Sequence, residues 1–85
     1  MFYLYLLLLS NKDLYKGSTA DLKQRVQQHQ DGAVQSTRNY RPVRLIHYEC
    51  YIKKSDALRR ERFLKTTEGK RFLRQQIRDL LSELS

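Results

Sequence analysis

A phenol, a guanidinium and an imidazole occur close together in the stretch from Leu14 to His29, L-Y-K-G-S-T-A-D-L-K-Q-R-V-Q-Q-H. Tyr15 leads it. Leu22, Arg25, Val26 and His29 then fall at i, i+3, i+4 and i+7, one face of a 3.6-residue period. Two of those four positions are polar. A helix serving only a core would be apolar there, and arginine is rarely buried without a partner. Arg25 and His29 are therefore expected to border the core at a cleft, with Tyr15 just upstream on a strand. Such a grouping suits a phosphate diester. A second candidate is Glu61, which shares a helical face with Ala57 and Leu64 and has Arg59, Arg60 and Arg62 around it in sequence. A carboxylate on an apolar stripe needs either an arginine or a divalent cation with hard oxygen ligands. Position alone leaves both open.

The elements that must hold these groups can be read in order. Phe2 to Ser10 is apolar on both faces, with Tyr3 and Tyr5 on one and Phe2 and Leu4 on the other, and reads as a central strand. Asn11-Lys12-Asp13 is a turn, and Leu14 to Gly17 returns as the second strand of a hairpin. Tyr5 and Tyr15 can then share a face, in a register that the spacing leaves open. Gly17 is expected to make a tight turn into a helix capped by Ser18 or Thr19, with Asp21 in its first turn. That helix runs from about Ala20 to His29 or Gln30, and Asp31-Gly32 ends it. Gln35 to Pro42 is a polar loop. Its Arg38 and Arg41, followed by Arg44 and with Tyr40 among them, look like backbone-contacting cations beside an aromatic that can stack on a base. Val43 to Tyr51 forms a third strand, in which Cys50 is expected as a buried thiol. Ser55 is expected to cap a second helix and Thr67 a third. Leu73, Ile77, Leu80, Leu81 and Leu84 make one amphipathic stripe over the sheet in that third helix.

Charge is the strongest compositional signal: 17 Lys and Arg against 9 Asp and Glu, a net +8 over 85 residues. That balance favours a polyanion, nucleic acid first among them. The length suits one small domain. A single cysteine rules out an internal disulfide and a multi-cysteine zinc site. The apolar run from Phe2 to Leu9 is far short of the ~20 residues of a membrane helix. With neither a basic leader nor a small-residue cleavage site, the chain is expected to be cytoplasmic and without a membrane partner.

Taken together, Tyr3-Leu4-Tyr5, Leu14-Tyr15-Lys16-Gly17-Ser18-Thr19, Asp21-Leu22-x-x-Arg25, His29, Arg41-Pro42 and Ala57-Leu58-x-Arg60-Glu61-x-x-Leu64-Lys65 resemble the GIY-YIG nuclease superfamily. The likeness extends from Phe2 to about Leu73 and is strongest to the small stand-alone bacterial proteins of that superfamily. It implies an α/β fold of the α+β type, a small three-stranded antiparallel sheet flanked by helices. It also implies a metal-dependent endonuclease cutting DNA, with repair or recombination intermediates as candidate substrates and RNA left open. On this resemblance Tyr5, Tyr15, Arg25, His29 and Glu61 are the catalytic residues. Glu61 takes the metal, Mg²⁺ or Mn²⁺, which depends on substrate phosphate for further ligands. Tyr5 or Tyr15, alone or with His29, would deprotonate the water, once nearby cations lower a phenol pKa that is ordinarily near 10. Lys16, Arg38, Arg41, Arg44 and Lys65 are the expected nucleic-acid contacts. A monomer or weak dimer, with a partner protein for targeting, fits so small a domain. Three departures stand out: no Gly precedes Tyr3-Leu4-Tyr5, Lys16 replaces an Ile, and the last helix has Gln75 and Gln76 where many members carry Asn. The alternative reading is a nucleic-acid-binding module of the same fold with little or no catalysis.

Overall fold

In the computed structural model, which describes residues 1–84, the apolar N-terminal run forms β1 (Phe2–Leu8). β2 (Leu14–Thr19) returns beside it, and β3 (Arg44–Tyr51) pairs with its other edge. The sheet is antiparallel in the order β2-β1-β3, so the strand that is apolar on both faces is the central one. On one face Tyr5 and Leu7 pack with Leu9, Val43 and Tyr15 beneath α1 (Leu22–Gln30). On the other, Leu4 and Leu6 meet Leu64 and Leu73 of α2 (Lys54–Leu64) and α3 (Thr67–Gln76). A short helix, α4 (Arg78–Leu84), follows. No helix among the described residues is long and apolar enough to cross a membrane.

The hairpin turn is built locally. Asn11 Oδ1 accepts from the Asp13 amide at 3.0 Å, and Lys12 takes a φ of 74°. It sets a register in which Leu7 faces Tyr15, Leu6 faces Lys16, Tyr5 faces Gly17 and Leu4 faces Ser18. Because side chains alternate along a strand, Tyr15 and Gly17 turn to the α1 side, and Lys16 and Ser18 to the side of α2 and α3.

Several local expectations are corrected. Gly17 is not at a turn; it lies inside β2, and its φ is not in the left-handed region. The cap of α1 is Asp21, whose carboxylate accepts from the Gln24 amide at 3.1 Å, while Thr19 accepts from the Asp21 amide. Ser55 lies inside α2, whose cap position is Lys53. Thr66, not Thr67, caps α3 through the Gly69 amide. The single C-terminal helix divides at Ile77 (φ −115°, ψ 31°), and α4 turns its half-buried Leu81 and Leu84 toward Leu8 and Leu14 at the sheet's end. Cys50 is exposed: it pairs with Tyr3 near the end of an edge strand. The end of α1 came as expected, at Asp31 with Gly32 following at φ 79°.

Candidate active site

The polar residues of α1 meet the sheet where Tyr5 passes close over a glycine of β2. Tyr5 points from the central strand over Gly17 of β2, where any Cβ would stand 2.5 Å from its hydroxyl oxygen. The missing side chain is what lets the phenol reach His29. Its hydroxyl lies 2.9 Å from His29 Nε2, and both residues are buried, at 1% and 0% exposure. Tyr15 completes a trio of rings, its centroid 5.1 Å from His29 and 6.3 Å from Tyr5. The imidazole is satisfied on its far side too: His29 Nδ1 lies 2.7 Å from Thr37 Oγ1, and Thr37 is fully buried. His29 therefore does not border a cleft, as its amphipathic position suggested; it is fully buried between the two phenols and Thr37. Thr37 was invisible in the sequence, being one hydroxyl in a polar loop with no periodicity.

Burial, and then the charge of Arg25, push the His29 pKa down, so the ring is neutral near pH 7. Tyr5 shows the balance that the sequence could not weigh. Burial raises its pKa, Arg25 pulls it down, and burial wins. The expectation of a phenol acidified by its surroundings thus fails for Tyr5, because removal from water outweighs one guanidinium. Arg25 itself is half-buried and donates to Gln28 Oε1 at 3.1 Å.

Glu61 approaches from the other side of β2. Its Oε1 accepts from Ser18 Oγ at 2.6 Å and its Oε2 from Lys65 Nζ at 2.7 Å. Burial pushes its pKa up, but the bonds from Lys65 and Ser18 outweigh that and hold the carboxylate below its usual range. Its hydrogen-bond partners are therefore a lysine and a serine, and of the neighbouring arginines Arg62 adds its charge alone. Arg59 pairs with Asp56, and Arg60 with Glu49. The charge of Glu61 still reaches Tyr5. The candidate site thus straddles the edge strand, with Tyr5, Tyr15, Arg25 and His29 on one side of β2 and Glu61 with Ser18 on the other.

No group of three or more His, Cys, Asp or Glu side chains gathers to hold a metal among the described residues. The donor set nonetheless fits one hard divalent cation: an ionised, half-buried carboxylate beside a hydroxyl suits an ion that keeps most of its waters. Gln76 does not lean toward Glu61. Its Oε1 accepts from Arg60 at 2.8 Å, tying α3 to α2 and, through Glu49, to β3.

The other expected contacts are spread out. Lys16 faces the side of α2 and α3, and Lys65 is on Glu61. Arg41 curls back on its own loop, donating to the Arg38 carbonyl at 3.0 Å and toward that of Gln30 at 3.5 Å. Arg38 and Arg44 are exposed and make no side-chain hydrogen bond or ion pair among the described residues. Tyr40 is 42% exposed.

Comparison with known proteins agrees with this architecture. Residues 1–75 match the GIY-YIG catalytic domain. A UPF0213 protein of Haloquadratum walsbyi is 38% identical over 81 residues, covering 92% of this chain and 91% of the relative. Another, from Staphylococcus saprophyticus, is 35% identical over 82 residues, covering 95% and 94%. The solution NMR structure of a UPF0213 protein from Bacillus halodurans superposes with a TM-score of 0.57 at 29% identity, over 89% of this chain and 85% of that one. Matched over most of its length, and with the paired tyrosine strands and the flanking helices in place, the chain belongs to the GIY-YIG family.

Proposed function

We propose that this protein is a divalent-metal-dependent endonuclease that hydrolyses DNA phosphodiester bonds, acting at repair or recombination intermediates. The observation that carries the reading is the buried Tyr5–His29 hydrogen bond set beside Arg25 and Tyr15, with an ionised Glu61 across the strand edge. A fold that needed only a core would fill this volume with apolar side chains and avoid the desolvation of so many polar groups.

Each residue then has a task. Arg25 supplies a fixed positive charge for the non-bridging phosphate oxygens, where charge develops during attack. Of the two phenols Tyr15 is the more open, so it is assigned to orient and deprotonate the water. Tyr5 is 1% exposed and tied to His29; the pair forms a neutral polar floor that holds the Tyr15 ring by an edge contact from His29 and a tilted one from Tyr5. Glu61, with Ser18 beside it, would hold the cation. Once bound, that ion supplies Lewis-acid neutralisation of the phosphate and of the leaving oxygen.

The test is a cleavage assay in Mg²⁺ and in Mn²⁺ on plasmid, duplex, single-stranded, flap and junction DNA, with binding followed in parallel. Wild type should cut, while Glu61→Gln should fold and bind but lose activity by orders of magnitude. Cutting by Glu61→Gln at the wild-type rate would overturn the metal assignment. Binding by wild type without cutting would establish the rival, a recognition module of this fold.

A further inference from the structure

A second concave surface lies beyond the candidate site, on the side of the sheet covered by α2 and α3. It is a cleft of about 650 Å³ between the β1–β2 hairpin and α3 with α4. Leu8, Leu14, Leu73, Leu81 and Leu84 line its apolar part. Lys12, Lys16, Lys70 and Arg74 line it as well, against a single acid, Asp13. None of these four cations forms an ion pair among the described residues. A folded chain gathers like charges around one cleft only at a cost in self-repulsion, which a bound polyanion removes.

We propose that this cleft binds the phosphate backbone of a nucleic-acid strand that continues past Glu61. The inference rests on nucleic acid being the substrate, and extends it to a place on the molecule. Its first support is the composition of the cleft: two cations from the hairpin, Lys12 and Lys16, and two from α3, Lys70 and Arg74, with leucines on both sides against which the sugars can pack. Its second is continuity. Lys16 is flanked in sequence by Tyr15 and lies within the field of Lys65, the lysine that touches Glu61. A basic track therefore leads from the proposed cutting point to Arg74. Its third support is Lys16 itself, whose ammonium is disfavoured by burial and then by Lys70, Arg74 and Lys65. An anion laid between these groups would relieve that penalty. The absence of aromatic rings from the cleft directs the contact to backbone rather than to stacked bases. Binding there is therefore expected to be indifferent to sequence.

The double variant Lys70→Gln/Arg74→Gln tests this. Both side chains are exposed and unpaired, so the fold should persist, which urea denaturation checks. Affinity for labelled single-stranded and duplex DNA would be measured in EDTA, so that binding is read apart from cleavage, across a salt series. The double variant should bind DNA about tenfold more weakly, and its log K against log salt slope should be smaller by roughly 1.4 to 1.8, the contribution of two phosphates. Unchanged affinity and slope in the variant would overturn the cleft while leaving the nuclease reading intact. Failure of the wild type to bind DNA at all would overturn both. A third arm titrates in a leucine-bearing acidic helical peptide. If the peptide binds wild type and not the variant, while DNA binds both equally, the cleft is a protein-docking surface and the proposal fails.

Discussion

Gly17 and Tyr5 face each other across the β1–β2 ladder, and the phenol occupies the space that any larger residue at position 17 would claim. A methyl group there would stand 2.5 Å from both Cζ and the hydroxyl oxygen of Tyr5. Gly17→Ala should therefore displace the ring and break its bond to His29. Overpacking of this kind costs about 1–3 kcal/mol, readable as a lower urea midpoint. Cleavage should fall at least about tenfold, since a 1 Å misplacement near a reacting centre can cost ~100-fold. Wild-type stability and activity in Gly17→Ala would mean that the ring is not held as described.

Thr37 is expected to govern the tautomer of His29. Its hydroxyl is the partner of Nδ1, and both residues are fully buried. Thr37→Val keeps the shape but leaves Nδ1 unsatisfied, at a cost of about 1–3 kcal/mol. Thr37→Ser should restore most of it. Nitrogen-15 shifts of the imidazole would report the protonated nitrogen directly, and an unaltered tautomer in Thr37→Val would remove Thr37 from this role.

Acid should destabilise the protein through His29. Its folded pKa lies below its unfolded value of about 6.5, so the unfolded chain binds the proton more readily. Stability from this residue is complete above the unfolded value and declines as pH falls from there toward the folded one. The slope is at most about 1.4 kcal/mol per pH unit. Urea midpoints measured from pH 8 down to pH 5 should fall, and His29→Gln should flatten the part of the curve that begins near pH 6.5.

Lys65 already sits on the oxygen that a divalent cation would need. The pair spans i to i+4, and the lysine is 55% exposed, which places it among pairs worth about 0.2–1 kcal/mol. Replacing it as Lys65→Gln should therefore tighten Mn²⁺ binding by roughly 1.4- to fivefold, as read by electron paramagnetic resonance on the free protein. Glu61→Gln should abolish the same signal. Weaker Mn²⁺ binding in Lys65→Gln would mean that the lysine supports the cation rather than competing with it.

The sequence revealed the strands because their apolar runs are long, and β1 as the central one because it is apolar on both faces. It revealed α1 because two apolar and two polar residues keep helical spacing up to a Gly at the end. What it hid was set by contacts between distant segments. Gly17 reads as a turn in any sequence; only the arrival of Tyr5 from another strand makes it a point of close approach. Ile77 continues a helical stripe without fault, yet the helix breaks there and α4 turns to line the cleft beside the hairpin. Cys50 has apolar neighbours in the chain, but it stands where an edge strand is left open. The direction of the Tyr5 pKa depends on burial against a single arginine, a comparison that needs the folded geometry. Glu61 found its partners in Ser18, 43 residues away, and in Lys65.

The two-residue alternation of β2 has a further consequence. Tyr15 and Gly17 serve the ring cluster, while Lys16 and Ser18 serve the carboxylate and the basic cleft, all within one edge strand. A shift of a single residue in the hairpin would exchange these sets completely, putting an ammonium beside the histidine and a phenol among the lysines. The length of the five-residue connection from Leu9 to Asp13 therefore acts as a phase setting for the chemistry. Adding or removing one residue there would keep Tyr15, Lys16, Gly17 and Ser18 in the chain and turn each to the wrong side of β2.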